Sequence, residues 1–228
     1  MNVKAVNVGC GTHVCELAGW ENIDDSPSLW LSKHSLIRQL SSWTGMIPES
    51  VTSVPWPRCV KFHNAARSLL YPDSSLLYIY TSHFLQYLPQ DTVQHFLREC
   101  LRVLADCGIL RIVVPDLRLM CEQYIGGTLE SPNADELDAD RFVRHTGLVP
   151  NEAARRSWVR ALRRLLGRGC HSWMYDEHSL IARVEAAGFR NVIRRGFGES
   201  QIPDVGSLEI PVHTSESLYV EGQKLECR

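Results

Sequence analysis

Residues 4–11 read KAVNVGCG, a short apolar run broken off by two glycines. That pattern predicts a buried strand ending in a tight turn. Residues 20–25 read WENIDD, a second apolar pulse ending in two carboxylates. About a dozen residues separate the pulses, close to the minimum for a parallel crossover, so only a turn or two of helix is expected between them.

The same alternation continues outward. After Ser26-Pro27, apolar residues at 29, 36, 37, 40 and 43 predict an amphipathic helix over 28–43. Residues 46–57 are rich in Pro, Ser and Thr and read as loop, 60–62 as a short strand, and 71–75 (YPDSS) as a turn. Residues 76–80 (LLYIY) are a continuous β-rich run, as in a strand buried on both faces. The clearest helix covers 91–104, with apolar residues at 93, 96, 97, 100, 101 and 104 and Gly108 expected to close it. Residues 109–114 (ILRIVV) form the next strand, ending at Pro115-Asp116.

Residues 126–151 are acidic and weakly periodic, and a basic amphipathic helix is expected over 152–166. A further helix over 177–187, capped by Asp176, stops at Gly188, and strands over 191–195 and 217–222 close the chain as an antiparallel pair. Strands alternating with helices predict one Rossmann-like α/β domain over 1–228. Its doubly wound sheet has seven mostly parallel strands with an antiparallel last strand, and a small helical cap spans about 117–175.

The composition is that of a soluble globular chain: 228 residues, 44% apolar, 22% charged, net charge −2 and pI near 6.5. A globally basic nucleic-acid binder is disfavoured. No run approaches the roughly 18 apolar residues of a membrane span. The opening MNVKAVNVGCG has no apolar leader core, so no secretory signal is expected. Eight cysteines without a C-x-x-C read as reduced residues in a cytoplasmic compartment, with no metal site expected. Six arginines between 155 and 168 form a local patch. It suits either an acidic, phosphate-bearing acceptor or an anionic membrane, or it is a solvated face balancing the acidic 130–140.

The glycine turn and Asp24 carry the candidate chemistry. Glycines let backbone approach a ligand, and a carboxylate ending the next strand can accept both hydroxyls of a ribose. There is no G-x-G-x-x-G, and the acid follows Gly11 by 13 residues rather than about 20. No full helix N-terminus is offered to a pyrophosphate. A nucleoside ligand without phosphate, such as S-adenosylmethionine, fits better than a dinucleotide.

The motifs VNVGCG with GWENIDDSPS, VKFHNAARSLLYPDSSLLYIYTSHFLQYL, FLRECLRVLADCGILRIVVPDL, HSWMYDEHSLIARVEAAGFRNV and GFGESQIPDV stand in that order. With them the chain resembles class I S-adenosylmethionine-dependent methyltransferases, in particular the type-11-like group of bacterial glycan and secondary-metabolite gene clusters. The resemblance covers about 1–30, 58–125 and 170–222. It implies that Gly9, Cys10 and Gly11 line the methionine part of the cofactor and that Asp24 holds the ribose. Asn64 stands where relatives carry an Asp contacting the adenine amine, and its side-chain oxygen can still accept. Thr81, Ser82 and His83 would face the transferred methyl. Relatives read Leu-Glu-His-Leu where this chain has Leu85-Gln86-Tyr87-Leu88, and Pro-Gly-Gly where it has Asp106-Cys107-Gly108.

His83 is either a general base for a hydroxyl acceptor or a residue shaping the cofactor loop. His171 and Tyr175 are the other candidates for the acceptor side, and Trp173 and Tyr175 could instead anchor the returning chain. The expected activity is methyl transfer to oxygen or nitrogen of a small-molecule or sugar-like acceptor. The rivals are a catalytically silent cofactor-binding partner subunit and a non-methylating enzyme using the same cofactor. The chain starts almost directly at its first strand, which leaves site closure to the cap or to a homodimer partner.

Overall fold

The computed structural model describes residues 3–34, 36, 37, 40, 43, 51, 53–130, 135–149, 170–211 and 214–225. A seven-stranded sheet organises it, in the order β3-β2-β1-β4-β5-β7-β6. Strands β1 (Ala5–Val8), β2 (Trp20–Asp24), β3 (Val60–Phe62), β4 (Leu76–Ser82) and β5 (Leu104–Pro115) run parallel. β7 (Ser217–Gln223) lies antiparallel between β5 and β6 (Arg190–Arg195), so β6 forms the sheet edge. This is the expected mostly parallel sheet with an antiparallel last strand. β1 is buried on both faces, hence a run of apolar residues rather than an alternation.

The first crossover contains no helix. Residues 9–19 run as turns and irregular backbone, correcting the expected turn or two of helix. Two buried asparagines do the helix's work of satisfying the backbone. Asn22 Oδ1 accepts from Cys15 N at 2.8 Å, and its Nδ2 donates to Cys15 O at 2.9 Å. Asn7 Nδ2 donates to Asn22 Oδ1 and His13 O. Each buried group left unpaired would cost about 1–3 kcal/mol, so these amides fix the loop's path.

α1 is short, Pro27–Ser32, and the rest of the expected 28–43 helix falls largely outside the described residues. α2 (Gln90–Val103) buries Val93, Phe96, Leu97 and Cys100, as the spacing predicts, and Val103 as well. It ends five residues before Gly108. Leu104 is already extended, and Asp106-Cys107-Gly108 lies inside a twelve-residue β5 with Cys107 at φ 61°. Lys224 holds this irregular entry. Its backbone pairs with Cys107 and Gly108, and its Nζ donates to Leu104 O at 2.6 Å.

Beyond β5 come α3 (Leu117–Ile125), capped by the Asp116 carboxylate, and α4 (Asp138–His145). The Tyr124 and Phe142 rings join them at 4.9 Å. The arginine-rich stretch and the helix expected over 152–166 lie outside the described residues. The chain returns with Tyr175 bridged alongside Asp116, then α5 (Glu177–Ala186), where Asp176 and Ser179 form a reciprocal capping box. Gly188 follows at φ +111°.

β5 divides the core by its alternation. Leu110, Ile112 and Val114 join α2 and α5 residues on one face. Val113 joins Cys15, Tyr80, Val205, Leu208 and Tyr219 on the other. No described helix is long and apolar enough to cross a membrane.

Candidate active site

Strand order reverses between β1 and β4: the chain winds outward through β2 and β3, then returns to add β4 and β5 on the other side. In such sheets the crevice outside the carboxyl ends of the strands is the ligand site. Here it is a cavity of about 700 Å³. Its walls include Gly9 to His13 after β1, Asp24 to Ser26 after β2, and Asn64 after β3. Ser82, His83, Phe84 and Tyr87 close it after β4, and Leu208 and Ile210 add a wall from a segment distant in sequence.

Both glycines of the first turn have left-handed backbone, Gly9 at φ +66° and Gly11 at φ +56°. A Cβ on Gly9 would stand 2.7 Å from the Phe84 ring, whereas one on Gly11 would meet nothing within 4 Å. Gly9 is therefore glycine for packing and conformation, Gly11 for conformation and for open space above the backbone. Gly11 N donates to Asp24 Oδ2 at 3.0 Å, and Ser26 N donates to Oδ1 at 2.6 Å. The carboxylate is aimed by these two backbone donors. Burial, with Asp24 alongside, pushes the Cys10 thiol well above its ordinary range, so it stays protonated.

Asn64 Oδ1 is a buried acceptor on the cavity wall with no hydrogen-bond partner among the described residues. Such atoms are rare, because an unpaired buried acceptor costs free energy. An exocyclic amine entering the cavity would satisfy it.

His83 also has left-handed backbone, at φ 51°. Its amide donates to Val113 O at 2.8 Å, and its Nε2 lies 3.1 Å from Ser217 Oγ at the start of β7. An imidazole tied across the sheet in strained backbone is held in one orientation. Ser82 is a wall residue beside it, while Thr81 is fully buried on the opposite face of β4 and is not a wall residue.

The expected acceptor trio does not assemble. His171 stands one layer behind the wall. Its ring packs edge-on against Tyr87 at 5.0 Å, and its Nδ1 is 2.7 Å from Thr146 O. Burial lowers its pKa, which favours the neutral ring. Tyr175 is fully buried in the core among Leu180 and Val184, away from the cavity walls. Burial raises its phenol to about 12. The structure thus gives Tyr175 the anchoring position that its bridge to Asp116 requires.

Tyr87, Asp25, His13 and Leu208 are wall residues the sequence did not single out as site residues. Tyr87 was visible only as a departure from a motif. Leu208 sits in a polar, aperiodic link that carries no sequence signal.

No protein-family model and no curated protein matches the chain. Among solved structures, it superimposes on an S-adenosylmethionine-dependent methyltransferase from Archaeoglobus fulgidus with a TM-score of 0.50 at 13% identity, over 97% of this chain and 86% of that one. Methyltransferases dependent on the same cofactor from Methanosarcina mazei (TM-score 0.48, 18% identity, 99% and 94% covered) and Aquifex aeolicus (0.46, 12%, 98% and 83%) are also similar. At these identities the likeness is one of fold. The chain has the Rossmann-like fold of class I S-adenosylmethionine-dependent methyltransferases.

Proposed function

We propose that the chain binds S-adenosylmethionine in this cavity and transfers its methyl group to a small-molecule acceptor at oxygen or nitrogen. The observation that carries the reading is the unpaired Asn64 oxygen sharing one cavity with the glycine turn and the Asp24 carboxylate. Three groups suited to an adenine amine, a backbone approach and ribose hydroxyls lie at the ends of three adjacent strands. The cofactor, when bound, supplies a sulfonium methyl that an acceptor lone pair displaces. The protein's task is then alignment and exclusion of water.

With the nucleoside over β1 to β3, the acceptor side falls toward β4, where Ser82, His83 and Tyr87 form the wall. The tie from His83 to Ser217 favours a pocket-shaping role for this histidine over a general base. His171 acts through Tyr87 rather than on the acceptor itself. An acidic or phosphate-bearing acceptor rests on the arginine stretch alone.

The silent-partner reading has one observation in its favour. Gln86 is buried, and neither side-chain atom has a partner among the described residues. It stands where relatives carry Glu, has no ionisable group and is not a cavity-wall residue. Product mass separates the two readings, since a gain of one methyl appears only with transfer.

Calorimetry with S-adenosylhomocysteine tests the cofactor site. Asp24→Ala and Asn64→Leu are each expected to weaken binding at least tenfold, about 1.4 kcal/mol. Unchanged affinity in both would remove the nucleoside from this cavity.

A further inference from the structure

The sheet face behind the cavity is covered by chain that has no regular structure. Residues 196–204, a 3₁₀ turn (Val205–Ser207) and residues 208–210 run between β6 and β7 and deliver Leu208 and Ile210 to the cavity wall. Its apolar cluster, Cys15, Tyr80, Val113, Val205, Leu208 and Tyr219, comes from strands and such loops. A segment without a backbone ladder needs some other device to fix its position.

That device is a fully buried guanidinium. Arg111 projects from the middle of β5 with none of its side chain exposed. Its Nε donates to Glu209 Oε1 at 2.6 Å, and its Nη2 pairs with the same oxygen at 2.5 Å. Nη1 donates to Glu221 Oε1 at 3.0 Å and to Glu199 O at 2.8 Å, and Nη2 also donates to Gly196 O at 2.9 Å. Four hydrogen bonds and one ion-pair contact thus engage all three guanidinium nitrogens. The second oxygen of Glu209 accepts from Gly198 N at 2.6 Å. Glu221 accepts from Ser200 Oγ and Gln201 N. Gly196, Gly198, Glu199, Ser200 and Gln201 of GFGESQIPDV thus join one network centred on Arg111.

We propose that Arg111 and Glu209 are positioning residues for the cavity: they lock the 196–210 segment so that Leu208 and Ile210, the two neighbours of Glu209, form its wall. Charge neutrality is met by two buried carboxylates against Arg111 and the half-buried Arg195. A buried ion group of this kind is a poor way to gain stability compared with apolar packing, because desolvation offsets the attraction. What these directional hydrogen bonds supply is geometry. Three acceptors, Glu209 Oε1 and the carbonyls of Gly196 and Glu199, lie on the 196–210 segment, and the fourth, Glu221 Oε1, ties the group to β7.

The identity of the wall's occupant rests on the cofactor reading above, and the test separates the two. Glu209→Gln and Arg111→Lys are made in the full chain, with Val184→Ala, in the core on the opposite face, as a control of general destabilisation. Hydrogen exchange is followed over residues 196–210 and, as reference, over α5. Affinity for S-adenosylhomocysteine is measured by calorimetry.

Both network variants are expected to speed exchange over 196–210 while leaving α5 unchanged, and to weaken binding about fivefold or more. Val184→Ala is expected to lower the melting temperature without either effect. Wild-type exchange over 196–210 and wild-type affinity in both network variants would overturn the proposal, as would acceleration spread evenly over the chain. If the wild type itself does not bind S-adenosylhomocysteine, the cofactor reading fails. Local acceleration at 196–210 then still supports the lock, and its absence overturns it. Arg111→Lys keeps the charge with three donors, so it remains informative if Glu209→Gln does not fold.

Discussion

Gly9 and Gly11 look alike in sequence, yet they carry different constraints. Both sit at positive φ, where an L side chain costs about 1–2 kcal/mol. At Gly9 an added methyl must also displace the Phe84 ring, whose atoms would be 2.7–2.9 Å away. Overpacking of that kind adds about 1–3 kcal/mol. Gly9→Ala is therefore expected to lower unfolding stability about twice as much as Gly11→Ala, measured by urea denaturation. Equal losses would mean that backbone strain alone governs the turn. Asn64 is legible in sequence by position, but its unpaired oxygen is not. Only the packed walls leave that atom buried and without a partner.

Among the elements, α2 shows how local and tertiary forces combine. Its 3/4 spacing is plain in sequence, because one helical face packs against the sheet. Its outer face does a second job. Glu99 accepts from Arg102 at 2.9 Å and from Leu69 N at 3.0 Å, while Arg102 also donates to Leu69 O and Tyr71 O. The helix thereby holds the turn that leads into β4. The Arg102 guanidinium pulls the Glu99 carboxyl down to about 2. A carboxyl lowered in the folded state contributes stability that is present above its unfolded value near 4.3 and is lost as pH falls toward 2. Glu99→Gln is expected to cost about 1–3 kcal/mol at pH 7 and progressively less below pH 4. Thermal melts of variant and wild type across pH 2–7 check this, and parallel curves would refute the pairing. The β1–β2 crossover shows the limit of local reading. Spacing alone allows a short helix there, but the buried Asn7 and Asn22 amides hold irregular backbone instead.

At the scale of the whole molecule, a ligand between β1 and β4 touches the ends of four strands and the 208–210 wall at once. It should stabilise the native state as a unit. S-adenosylhomocysteine at 100 times its dissociation constant adds about 2.7 kcal/mol. For a chain of this length that is a rise of roughly 5–10 °C in melting temperature. A flat melting temperature at that concentration would mean that the folded chain does not bind the ligand in preference to the unfolded one. The sequence by itself determined the seven strand segments, the helices at α2 and α5, the parallel direction of β1 to β5 and the carboxyl-edge positions of Gly9, Gly11, Asp24 and Asn64. Those features follow from hydrophobic period and from turn chemistry, which act over a few residues. Only the tertiary structure decided that β7 enters between β5 and β6, that Tyr175 lies in the core, and that Arg111 meets Glu209 and Glu221 across about a hundred residues of chain. Those outcomes depend on which buried polar groups find partners, and such partners are distant in sequence and close only once the sheet has formed.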